Sequence, residues 1–141
     1  MTYEKRRYQG PQDLKIMQEL IQRNWDLTCR EHVGDIAWAW CSTGAREADW
    51  PVQLWFHGST CVGWGWICYP HELRFKVDSA HLGLLPEIFA WFEETATAQV
   101  LEIDVLDLET PYIAALESRG YEAKSDGAFS LHMVRDLADL P

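Results

Sequence analysis

No run of apolar residues in this chain approaches the roughly 18 in succession that a membrane-spanning helix requires. Basic residues are scarce as well: 12 lysines and arginines face 22 aspartates and glutamates, a net charge of −10. Without clustered cations a chain cannot neutralise a row of phosphates, which argues against nucleic acid and against anionic membrane surfaces as partners. The same imbalance favours a cationic ligand such as an amine, although an acidic surface also simply keeps a protein soluble. Cys29, Cys41, Cys61 and Cys68 form no CxxC pair, and no His-x-x-x-His completes a zinc site. The opening residues, MTYEKRR, are polar where a secretory leader would be apolar, so a reduced, cytoplasmic protein is expected.

Tryptophan, by contrast, is abundant: eight in 141 residues. Each buries a large ring with one N–H that wants a partner. So many imply a thick aromatic core, an aromatic-lined pocket, or a face that another domain covers.

Residues 3–8 (YEKRRY) read as an edge strand, and Gly10-Pro11 ends it in a way that suits a first helical turn. Beyond Asp13, whose charge favours a helix start, Leu14, Met17, Leu20, Ile21 and Trp25 recur at helical spacing. In HVGDIAWAWCSTG, Val33, Ile36, Ala37, Trp40 and Cys41 fit a helical face, whereas Ile36, Trp38 and Trp40 fit alternation. A short helix stopped by Gly44 is the preferred reading, followed by a polar loop, AREADWP. VQLWFHG and STCVGWGWICYP form a hairpin about Gly58-Ser59. With a side-chain period of two, Trp64 and Trp66 share a face with Val62 and Cys68. Gly63 and Gly65 bare the opposite face, where a helix or a ligand can approach the backbone.

HELRFKVD adds a third antiparallel strand. A helix from Leu85 to Ala98 then crosses over to a strand from Val100 to Leu106, which must run parallel to HELRFKVD. A helix from Thr110 to Arg119 stops at Gly120, and YEAK and FSLHMVRDL, turning at Gly127, close the sheet. One α+β domain over residues 1–141 is expected, with 137–141 as a tail or linker.

The order strand, loop, helix, strand, helix over His71–Tyr121, ending in Glu117-Ser118-Arg119-Gly120-Tyr121, resembles the acyl-CoA-binding half of the GNAT N-acetyltransferases. The likeness extends over essentially the whole chain. It implies a mixed, mostly antiparallel sheet flanked by about four helices, with two central parallel strands splayed to admit acetyl-CoA. It implies that pantetheine pairs with the strand at Phe75, Lys76 and Val77. The pyrophosphate would rest on backbone N–H groups at Leu82, Gly83, Leu84 and Leu85, where a helix begins. The family motif there is Arg/Gln-x-x-Gly-x-Gly/Ala, of which Val77–Pro86 keeps Gly83 alone. Pro86 lacks an N–H but suits a first helical turn.

The family's acid, a tyrosine four residues before the glycine, is Leu116 here, and an asparagine near the helix start is Glu109. Tyr112 substitutes if its hydroxyl reaches the sulfur; otherwise it packs on the sheet. Glu72 is the candidate base by location, with Asp104 and Asp107 behind it, though carboxylates more often face solvent or pair with cations. His32 lies where the family borders its acceptor pocket, and Trp38, Trp64 and Trp66 offer aromatic walls for an organic cation.

The eroded motifs and the linker-like DLADLP ending resemble the N-terminal half of a tandem two-domain actinobacterial acetyltransferase. Two functions follow from the resemblance. One is acetyl transfer from acetyl-CoA to a small primary amine. The other is a non-catalytic module that binds a ligand or packs against a second GNAT domain or, as a homodimer, a second copy.

Overall fold

The computed structural model describes residues 1–42 and 50–124. The chain runs β1 (Glu4–Arg7), α1 (Pro11–Arg23), α2 (Val33–Ser42), β2 (Val52–His57), β3 (Thr60–Cys68), β4 (Glu72–Val77), α3 (Leu85–Thr95), β5 (Glu102–Ile103) and α4 (Thr110–Glu117). Ser79–Leu84, ahead of α3, is 3-10 turn broken at His81. Among the described residues the five strands form one sheet in chain order, antiparallel except for the parallel pair β4–β5. This is the expected α+β arrangement. Among the described residues no helix is long and apolar enough to cross a membrane.

The sheet separates two apolar clusters. On one face Met17, Leu20 and Ile21 of α1 and Ile36 and Trp40 of α2 pack on Leu54, Trp64 and Trp66. On the other, Ile88, Phe89 and Phe92 of α3 and Leu116 of α4 pack on Trp55, Leu73, Phe75 and Val77. Arg6 of β1 donates two hydrogen bonds of 2.7 Å to the buried carboxylate of Asp13, tying the edge strand to α1. Those bonds, ahead of every other influence, hold the Asp13 carboxyl below the ordinary aspartate range.

Strict alternation along β3 fails at one residue. Trp55 pairs with Gly63 but Phe56 pairs with Cys61, so Val62 is the extra residue of a β-bulge. Val62 therefore packs with the α3 cluster, and Cys61 takes its place beside Trp64 and Trp66. The bare face of β3 is filled by a helix. A Cβ on Gly63 would lie 2.5 Å from Leu84 Cδ2, and one on Gly65 would lie 2.8 Å from Trp91 Cζ3. Leu84 is fully buried and cannot swing away. Gly63→Val is expected to cost about 1–3 kcal/mol in urea unfolding, as overpacking does; an unchanged midpoint would show that α3 yields.

The second parallel strand is much shorter than the sequence suggests. Only Glu102 and Ile103 pair with β4, opposite Glu72 and Leu73. Beyond them Leu106 N–H donates to the Glu109 carboxylate at 2.9 Å, which draws the chain into a loop and away from β4. Tyr121–Lys124 is not strand among the described residues, so YEAK does not extend the sheet there. Gly44, Gly127, FSLHMVRDL and the 137–141 tail lie outside the described residues.

Candidate functional site

The early end of β5 leaves β4 with an open edge. Asp78 N–H donates to Val62 and Glu102 N–H donates to His71, so the odd-numbered residues of β4 turn their backbone groups toward β5. Past Leu73 no strand among the described residues meets them, and Phe75 and Val77 face a gap. Tyr112, one turn into α4, packs its ring on Phe75 with centroids 5.0 Å apart. Its hydroxyl sits at the Val77 N–H. Burial first, then the nearby Glu109 and Cys29, raise the phenol above its ordinary range and keep it protonated.

Residues from both faces of the sheet meet at this gap. The cleft there is small, about 10 Å³ or room for one water, between Arg30, Glu31, Leu73, Arg74, Phe75, Asp104, Val105, Glu109 and Tyr112. Arg74 points to the α1–α2 face because β4 alternates Leu73, Phe75 and Val77 against Glu72, Arg74 and Lys76. Glu31 comes from the loop before α2 and is 5 % exposed. Arg30 Nη1 donates to Glu31 Oε1 at 2.7 Å. Arg74 Nη1 stands 3.8 Å from Glu31 Oε2, within Coulombic reach but too far to hydrogen-bond. Both atoms are buried and, among the described residues, have no hydrogen-bond partner. Burial raises the Glu31 carboxyl above the ordinary glutamate range, against the pull of Arg74 and Arg30.

Glu109 joins the two sides of the cleft, accepting from Arg30 N–H at 3.1 Å and Leu106 N–H at 2.9 Å. Lys76, also buried, turns its Nζ to within 3.3 Å of Cys29 Sγ.

At the far end of β4, the first backbone donors after Asp78 are already engaged. Ser79 N–H donates to Asn24 Oδ1 at 2.9 Å and Ala80 N–H to Asp78 Oδ1 at 3.0 Å. Arg23 reaches the other Asp78 oxygen at 3.0 Å. Despite the opposing effect of burial, these bonds keep the Asp78 carboxyl below its ordinary range, so it is anionic. Gly83 is open, with nothing near its Cα hydrogens.

The residues singled out in the sequence distribute unevenly about this geometry. Phe75 and Val77 line the open edge, while the Lys76 side chain lies on the opposite face. Leu82 and Gly83 sit in the turn before α3, and Leu84 and Leu85 are core. Tyr112 is at the gap, but Glu72 is at its closed end, opposite Glu102, and does not line the cleft. Trp64 and Trp66 are fully buried beneath α1 and α2 and present no surface to a ligand. Trp38 is 72 % exposed on α2, and His32 is exposed, its Nδ1 accepting from Gly34 N–H. The four substrate-binding candidates therefore form no single wall. Sequence reasoning passed over Arg30, Glu31 and Arg74. The charged–apolar alternation of ELRFKV was a usable signal for Arg74, whereas Glu31, next to His32, carried none.

A sheet whose parallel pair splays after two residues, with helices on both faces and a helix beginning at the mouth of the gap, defines the GNAT fold. No protein-family model matches the sequence, and no curated protein does. Two solved structures are similar over most of the chain. AAC(6')-Iy in complex with the bisubstrate analogue CoA-S-monomethyl-acetylneamine superposes with a TM-score of 0.66 at 12% identity, over 95% of this chain and 100% of its own. A GCN5-related N-acetyltransferase from Rhodopseudomonas palustris gives 0.59 at 20% identity, over 88% and 84%. At these identities the likeness is one of fold, and the chain has the GNAT fold.

Proposed function

We propose that this domain transfers an acetyl group from acetyl-CoA to a small amine at the β4–β5 gap. The observation that carries the reading is the open edge of β4 beside a buried carboxylate: Phe75 offers unpaired backbone to an extended ligand, and Glu31 stands at the cleft to receive a proton. The complex of AAC(6')-Iy with a CoA bisubstrate analogue, on the same fold, supports it. Acetyl-CoA supplies the activated acyl group when bound. Glu31, with its raised pKa, is the base matched to removing a proton from an ammonium. Tyr112, held protonated, supports a departing thiolate by hydrogen bonding and not by giving up its proton. In this reading Glu31, not Glu72, is the base.

Residues 1–141 act as one cytoplasmic domain, and the exposed Trp38 meets a second GNAT domain or a second copy. The reading is tested by calorimetric titration of acetyl-CoA into the protein, followed by thiol release on adding amines. Micromolar binding with amine-dependent release is expected, and no binding at millimolar acetyl-CoA would sink it.

One observation favours the non-catalytic reading. Just ahead of the turn that would meet a pyrophosphate, the Ser79 and Ala80 N–H groups are held by Asn24 and Asp78, and Asp78 sets a negative charge beside that turn. The residues fit the pantetheine end of the cofactor and fit the phosphate end poorly. Asp78→Asn should therefore tighten CoA binding by roughly three- to tenfold, read by calorimetry at low salt, because a like charge leaves the site. Equal affinity in both proteins would place the phosphates elsewhere.

A further inference from the structure

Two nucleophiles touch where the loop before α2 crosses β4. Lys76 is 3 % exposed, and its Nζ lies 3.3 Å from Cys29 Sγ. A buried ammonium ordinarily pairs with a carboxylate. Among the described residues no carboxylate forms an ion pair with this one, and the sulfur stands in that place.

Access to the pair is one-sided. Cys29 is partly exposed, and Asp26, Leu27 and Thr28 ahead of it are exposed, whereas the amine behind it is buried. A reagent arriving from solvent therefore meets the sulfur first. The thiol has two acceptors of its own, the Asn24 carbonyl at 3.4 Å and Asp26 Oδ1 at 3.6 Å, which give its proton a way out.

We infer that Cys29 and Lys76 form a self-acylation site, in which the sulfur takes an acyl group from a thioester and passes it to the lysine amine. In the first step Sγ, its proton released to solvent, attacks the thioester carbonyl carbon. The donor's carbon–sulfur bond breaks, and its thiolate leaves and takes up a proton from the Lys76 ammonium, which becomes a neutral amine. In the second step Nζ attacks the carbonyl carbon held on Cys29. A carbon–nitrogen bond forms, the carbon–Sγ bond breaks, and the amine's surplus proton restores the thiol. The acyl carbon is one bond from an atom 3.3 Å from Nζ, so rotation about Cβ–Sγ brings it into the roughly 3–3.5 Å of a near-attack geometry. The acyl group enters on the loop side of Sγ and draws on no cavity in the core. The product is an amide, more stable than the thioester, and it removes the charge of a buried lysine. Neither step uses the β4–β5 gap or a bound amine, so this site is independent of amine acetylation there.

The test exposes the intact protein at neutral pH to S-acetyl-N-acetylcysteamine, an acetyl thioester without the nucleotide of CoA, and maps acetyl groups by peptide mass spectrometry. Lys76 is expected to be acetylated at least about tenfold faster than the exposed Lys5 and Lys15, in a form that hydroxylamine does not remove. Early in the time course a hydroxylamine-labile acetyl group is expected on Cys29, decaying as the Lys76 amide grows. Lys76→Arg should hold the acetyl group on Cys29, and Cys29→Ala should slow Lys76 acetylation at least about tenfold. Undiminished Lys76 acetylation in Cys29→Ala would overturn the site, as would an acetyl group that stays on Cys29 in the unaltered chain. So would Lys76 reacting no faster than Lys5. The time course on the unaltered chain decides the matter even if a variant fails to fold. Amine-dependent thiol release without Lys76 acetylation would sink this site and keep the function proposed above. Lys76 acetylation without acetyl-CoA binding would do the reverse.

Discussion

Glu31→Gln is expected to lower kcat/KM for acetyl transfer by roughly 10²–10⁴-fold, the usual worth of a positioned general base. By transition-state arithmetic that is about 3–5 kcal/mol. The change keeps size and hydrogen-bonding capacity but removes the proton acceptor that burial has tuned upward. In the proposed reaction Glu31 must be ionised to act. Its pKa is raised, so activity should climb with pH through a midpoint above the ordinary glutamate range. The variant should lose that limb of the profile. Steady-state thiol release across pH measures both, with circular dichroism to confirm folding. An unchanged rate with the acidic limb intact would assign the base to another group.

Trp64→Ala should cost about 3–5 kcal/mol in urea unfolding, a large share of the roughly 5–15 kcal/mol that stabilises a domain. Trp64 is fully buried on the central strand, between β2 and β4 and beneath α1 and α2. Trp64→Phe should cost only about 1–2 kcal/mol. Phenylalanine fills most of the volume, and it removes a buried indole N–H that has no hydrogen-bond partner among the described residues. Equal losses in the two variants would mean that the N–H has a partner in solution. Loss of amine binding in the phenylalanine variant, with stability kept, would restore Trp64 as a ligand contact.

Much of the fold was legible because its signals are local and periodic. Leu14, Met17, Leu20 and Ile21 mark α1, and Gly58-Ser59 marks the hairpin. Even the ambiguous HVGDIAWAWCSTG fell to its helical face, as α2. What failed to show in the sequence depends on partners far along the chain. The brevity of β5 comes from the Glu109 carboxylate capturing Leu106, and LEIDVLD alone reads as a full strand. Val62 changed faces through a bulge that simple alternation cannot register. The site was half legible. Phe75, Val77 and Tyr112 came from position within a resembled pattern, and the structure brings them together at the gap. Arg30, Glu31 and Arg74 required knowing that the loop before α2 folds over β4.

Gly63 has no side chain to offer any ligand, yet it sets the height at which a ligand would meet the protein. The Leu84 methyl group that occupies its vacant position belongs to the last residue before α3. The helix is seated on the sheet through that methyl group, and the turn carrying Asp78, Ala80 and Gly83 descends with it. A shim of a single carbon at Gly63 would lift the turn relative to the open edge of β4. The two ends of an extended ligand would then no longer be gripped at once. This glycine, outside the resembled phosphate motif, acts as the levelling screw of the candidate site.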